Sequence, residues 1–249
     1  MKKINLTILI MVALALAAVL IFKPKPNDQP KDQPKNETSP ASQSPSTPAG
    51  QASALPGYVL LTVPFTAQAP TANWSDPRQQ DGCEEASLIM AYAWTQGKTS
   101  ISASEAEKTI IAMSEFEKET YGNYLDLGAA DTAKLMTDYY HYDNHTVKSG
   151  ITIEDIKKEL AAGKLVITPA NGQKLNNPNF TGAGPLTHML VVIGYDEAKK
   201  QVITNDPGTR NGKGYRYSYN IFFNALVDYK TGYHEDQTGR PKAMIVVEK

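Results

Sequence analysis

Residues 23–56 carry almost no aliphatic side chains, and this stretch limits where a fold can form. It is built from Pro, Gln, Ser, Asn, Lys, Asp and Thr, as in Lys31-Asp32-Gln33-Pro34-Lys35-Asn36-Glu37. Such a segment cannot bury enough apolar area to offset the entropy of ordering it. It reads as a linker stiffened by proline, and roughly thirty residues at ~3 Å each would hold a domain well clear of whatever precedes it. A fold is therefore confined to residues 57–249, which is length enough for one domain with a complete core.

Before the linker, Met1-Lys2-Lys3 is followed by an uncharged run from Ile4 to Phe22, interrupted only by Asn5 and Thr7. About nineteen apolar residues just span a bilayer core. Ala15-Leu16-Ala17 offers a signal-cleavage site, but the apolar run continues beyond it. Residues 1–22 are therefore expected to be an uncleaved signal anchor, with secretion after cleavage as the alternative. Either way the domain lies on the extracellular side of the membrane, and the membrane is met only through the N-terminal helix. The formal net charge of −1 and the scattered lysines leave no basic stripe, so nucleic acid is not an expected partner.

Within 57–249 the pattern is helices first and strands second. Tyr58-Val59-Leu60-Leu61-Thr62-Val63 reads as an opening strand broken by Pro64. Ala86, Ile89, Met90, Ala93 and Trp94 recur at helical spacing, which places Cys83 in the first turn of that helix. Ser102-Ala103-Ser104-Glu105 announces a second helix by a capping-box pattern. A third is expected over 129–140, and a fourth from Thr152 to Gly163. Residues 164–168 read as a strand, 171–185 as a long polar loop, and 187–195 as a continuous apolar strand. A charged turn at 196–200 and a further strand from Gln201 follow. This is an α+β domain.

Cys83 is the only cysteine, which excludes an intramolecular disulfide and a thiolate metal cage. It is then either a small buried hydrophobe or a nucleophile. A helix N-terminus favours the thiolate, while Glu84 and Glu85 disfavour it, so a nucleophile here needs an imidazole partner. Of the four histidines, His141 and His145 are four residues apart, a helical spacing that could bind a metal, but no third ligand accompanies them. No metal or cofactor is expected. His234 lies in polar sequence and reads as solvated surface, whereas His188 starts the apolar strand.

If the turn after that strand is centred near Glu197, antiparallel pairing sets His188 directly across from Asp206. Asp206 then accepts from one ring nitrogen and leaves the other to face a thiol. An acyl-transfer site also needs an oxyanion donor, for which Gln68, Gln79 and Gln80 are candidates that spacing does not separate.

Four segments together resemble the C39-like peptidase family, a branch of the papain-like cysteine peptidases. They are Val63-Pro64-Phe65-Thr66-Ala67-Gln68, Asp81-Gly82-Cys83-Glu84-Glu85-Ala86-Ser87-Leu88, His188-Met189-Leu190-Val191-Val192-Ile193-Gly194-Tyr195-Asp196 and Asn205-Asp206-Pro207-Gly208. The resemblance implies a papain-like fold, its N-terminal helical part carrying the nucleophile helix against a C-terminal antiparallel sheet. It also implies Cys83 as nucleophile, His188 as general base and acid, Asp206 as orienting carboxylate and Gln68 as oxyanion donor. The spacing departs from the tighter papain-like pattern, which puts the glutamine about six residues before the cysteine. Pro77 stands there, and Gln68 is fifteen residues away, so 69–76 must bulge outward.

The expected function is that of an exported, membrane-tethered cysteine peptidase acting on a peptide or protein. A peptidoglycan amidase or endopeptidase with the same triad, acting on cell-wall peptides, is the second reading. A papain-like domain that binds without cutting is the third.

Overall fold

The structure is a computed structural model that describes residues 54–249. The expectations for 1–22 and for most of the linker lie outside the described residues. Among the described residues no helix is long and apolar enough to cross a membrane.

The chain runs β1 (Tyr58–Leu60), α1 (Pro77–Gln80), α2 (Cys83–Thr95), α3 (Ala103–Tyr121), α4 (Ala129–Tyr140), β2 (His145–Ser149), α5 (Ile153–Ala161) and β3 (Leu165–Ala170). It continues through α6 (Gly172–Leu175), β4 (His188–Asp196), β5 (Gln201–Asn205), β6 (Tyr215–Ser218), α7 (Tyr219–Ala225) and β7 (Ala243–Val247). The strands form one antiparallel sheet in the order β2-β7-β3-β4-β5-β6. β3 pairs with β4 from His188 to Val192, and β1 takes the same edge of β4 from Gly194 to Asp196.

Alternation along the strands separates two cores. Ile167, Met189, Val191, Ile193 and Ile245 face α2, α3 and α4, where Leu88, Met90, Ile110 and Met136 lie buried. Val166, Leu190, Val192 and Val246 face the other way, against Ile156, Leu160, Leu175 and Phe222 of α5, α6 and α7. With both faces covered, β4 is buried along its whole length, which explains its unbroken apolar sequence. The helices are accordingly not confined to the N-terminal half, because α5, α6 and α7 sit between strands and supply a second helical layer.

Helix starts follow the expected chemistry. Ser102 accepts from the Glu105 amide at α3, and Thr152 with Asp155 completes a reciprocal capping box at α5. α2 is buried on nearly every side, with Glu84, Glu85 and Ser87 inside as well as its apolar stripe, as befits a central helix. Where 171–185 was expected to be loop throughout, Asn171 caps the short α6 by accepting from the Lys174 amide. His141 and His145 do not share a helix: His141 caps the end of α4 with φ 54°, and His145 is on β2 beside Thr137 Oγ1.

Candidate active site

The turn before Cys83 is built by two short-range devices. Asp76 caps α1 by accepting from the Arg78 amide, and Pro77 supplies the first helical residue. Gly82 then allows close approach, since a Cβ there would lie 2.8 Å from the Arg78 carbonyl oxygen. Cys83 is the first residue of α2, and no side chain caps that end.

Cys83 is 4 % exposed, and its sulfur is held by two neighbours. It accepts from the Met189 amide at 3.3 Å and donates to Glu84 Oε2 at 3.0 Å. The residue following His188 thus touches the thiol. Glu84 Oε1 in turn accepts from the Tyr229 hydroxyl at 2.5 Å. Burial pushes the thiol pKa well up, the charges of Glu84 and Asp126 add to that, and the Met189 amide opposes it. Burial likewise raises Glu84, followed by Asp126 and Glu85. Asp81 is pushed up to about 6 by burial and by Asp126. The helix N-terminus therefore does not prevail here, and in this arrangement Cys83 is a neutral thiol.

His188 is buried, and its Nε2 lies 2.8 Å from Asp206 Oδ1. The register differs from expectation. A bulge at Ile193 shifts β4 against β5, and the ladder ends at Val191↔Asn205, so continuing it would set His188 opposite Gly208. Asp206 is two residues from that position and reaches the imidazole diagonally. A Cβ on Gly208 would stand 2.9 Å from His188 Cε1. Asp206 Oδ1 also accepts from the Gly208 amide at 3.0 Å, and Oδ2 from the Tyr217 hydroxyl at 2.5 Å and Asn177 Nδ2 at 3.3 Å. Burial raises the Asp206 pKa, but His188, Tyr217 and the Gly208 amide outweigh it and hold the carboxyl below its ordinary value. Nε2 is therefore the ring nitrogen that Asp206 engages, and Nδ1 is the one it leaves for a thiol.

Gln68 ties these pieces together. Its backbone amide donates to Pro207 O at 2.9 Å, while Nε2 donates to Gln79 O at 3.1 Å and Gln80 O at 2.7 Å. The exposed segment 71–75 bulges outward, so the fifteen-residue separation is closed in space. Both amide protons of Gln68 are already engaged. Gln79 is turned inward toward Glu107, and the Gln80 amide bonds Trp74 O. Asn205 Nδ2 meets the Val63 and Pro64 carbonyls at 3.3 Å, bringing the remaining segment of the resemblance to the same place.

Residues 60–236 match the profile of the Peptidase_C39 like family. The chain belongs to that family. Among solved structures, a candidate C39-like peptidase from Bacillus anthracis has a TM-score of 0.50 at 20 % identity, covering 77 % of this chain and 98 % of its own. That likeness supports the C39-like fold. Xylellain, a cysteine protease from Xylella fastidiosa, aligns at 17 % identity over 79 % of this chain and 87 % of its own, with a TM-score of 0.33. No curated protein matches.

Several partners of these residues escape sequence reasoning. Tyr217 and Asn177 support Asp206 from β6 and the 171–185 loop, and Tyr229 holds Glu84 from far downstream. Alternation in Tyr215-Arg216-Tyr217 was the one signal that an inward tyrosine follows the hairpin. His234, expected on the surface, is exposed, but its Nδ1 and amide both reach the buried Asp126, at 3.1 and 3.0 Å.

Proposed function

We propose that the chain is an exported, membrane-tethered cysteine peptidase using Cys83, His188, Asp206 and Gln68. The observation that carries this reading is the buried His188–Asp206 pair whose next residue, Met189, hydrogen-bonds the Cys83 sulfur. In the proposed reaction the thiol leaves Glu84 and gives its proton to His188 Nδ1. The sulfur attacks the peptide carbonyl, and the oxyanion is held by the Cys83 amide at the helix start and by a Gln68 amide proton released from Gln79 or Gln80. The His188 imidazolium protonates the leaving amine, then takes a proton from the water that hydrolyses the thioester. Asp206 stays ionised throughout and stabilises the cation.

The apolar run in 1–22 and the linker that follows support a domain held outside the membrane, where cell-wall peptides are also within reach. Hydrolysis of a mixed peptide pool by the full chain, absent in Cys83→Ser, tests the peptidase reading. Release of stem peptides from purified walls instead would assign it to peptidoglycan. The engagement of both Gln68 amide protons favours one further reading, binding without cleavage. Under that reading Cys83→Ala keeps the biological effect.

A further inference from the structure

A groove of about 540 Å³ is bounded by Gln68, Trp74, Phe180, Pro185, Gly208 and Arg210. Phe180 packs edge-on against the His188 ring at 5.4 Å, and Gly208 is the residue whose Cβ would touch that ring. Phe180 and Gly208 thus separate the groove from the buried imidazole by a single layer of residues. Its walls are the outward bulge of 69–76 and the 171–185 loop, the latter joined to 206–212 by Asn211 Nδ2 donating to Asn179 Oδ1. Trp74 is 44 % exposed and gives the groove apolar surface open to solvent.

The charge in this groove has one sign. Arg210 is its only charged lining residue. Of the four arginines, Arg78, Arg216 and Arg240 each face a carboxylate, whereas Arg210 faces none among the described residues. A guanidinium beside aromatic walls and without an acidic partner suits a carboxylate side chain carried on an extended peptide.

Resting on the peptidase reading, we propose that Arg210 selects substrates carrying an acidic side chain in this groove. The test uses amidated, internally quenched octapeptide pools with Glu, Gln or Lys fixed at each position in turn. They are presented to the full chain, to Arg210→Glu and to Lys213→Glu, the last removing an exposed nearby cation outside the groove. At one position the wild type should cleave the Glu pool roughly 3–5-fold faster than the Gln pool, the scale expected of an exposed ion pair. The Glu-to-Lys rate ratio should fall about tenfold or more in Arg210→Glu and stay unchanged in Lys213→Glu. Equal ratios in wild type and Arg210→Glu, or an equal fall in Lys213→Glu, overturn the proposal. If the wild type cleaves no pool, the peptidase reading fails, and the Arg210 assignment is then decided by binding. The same pools titrated against Cys83→Ala, with and without Arg210→Glu, must show the same Glu preference and its loss. No binding, or no preference, overturns the assignment.

Discussion

His188 Nε2 and Asp206 Oδ1 lie 2.8 Å apart although the two residues do not oppose each other across β4 and β5. The bulge near Ile193 shifts the register by one residue and the ladder ends at Val191↔Asn205, so Asp206 reaches His188 from just beyond β5 while its second oxygen takes the Tyr217 hydroxyl. Asp206→Asn replaces an acceptor with an amide that must face a donor. Unfolding free energy should drop by about 2–3 kcal/mol in urea titrations at pH 7, alongside a large loss of any Cys83 reactivity. Because the folded pKa is lowered from 3.8, this contribution is present above that value and lost as pH falls through the folded pKa. The difference between wild type and variant should therefore shrink in acid.

Gly208→Ala addresses the ring directly. The new methyl would fall 2.9 Å from His188 Cε1 and 2.8 Å from Phe180 Cε1, so the rings or the backbone must move by about 0.6 Å or more to restore ordinary carbon–carbon contact. Peptide hydrolysis should fall about tenfold or more while the urea midpoint changes little, since 1 Å displacements are costly to reaction geometry. A peptide-hydrolysis assay beside the urea titration separates the two effects.

Glu84→Gln should ease ionisation of the thiol. The change removes one of the charges that raise the Cys83 pKa after burial, and it offers the sulfur a donor in place of an acceptor. The pH dependence of Cys83 alkylation should move to lower pH, and the neutral-pH rate should rise. Retention of the Tyr229 contact by the amide oxygen keeps the substitution close to isosteric.

Helix positions were legible because their apolar stripes and caps are local: 129–140 and the starts at Ser102 and Thr152 follow from spacing and capping alone. The His188–Asp206 contact was legible as proximity but not as register, because a bulge leaves no mark in an all-apolar run such as Val191-Val192-Ile193. β2, β7 and α7 were missed, as their short segments make sense only when packed on neighbours distant in sequence. Glu84 and Glu85 were legible as charges that oppose the thiolate but not as buried groups: Glu84 lies under Tyr229 and Glu85 against Ser114 and Glu117, partners far off in sequence.

Glu117 gives stability an alkaline limit. Burial, then the charge of Glu84, pushes its pKa up to about 8 from 4.5, and Glu85 beside it is raised as well, chiefly by burial and then by Glu117. A raised carboxyl stabilises the fold below the unfolded value of 4.5, and that contribution is lost as pH rises toward about 8. Between pH 5.5 and 8.5 the wild type should lose on the order of 2–4 kcal/mol relative to Glu117→Gln, read from urea midpoints at the two pH values.

The most direct measurement is the rate at which iodoacetamide alkylates Cys83 at pH 7 in the full chain and in His188→Ala, both shown folded by circular dichroism. If His188 Nδ1 takes the thiol proton, the wild type should react about tenfold faster or more. Equal rates, or a faster His188→Ala protein, would contradict the assignment of Cys83 and His188 as a working pair.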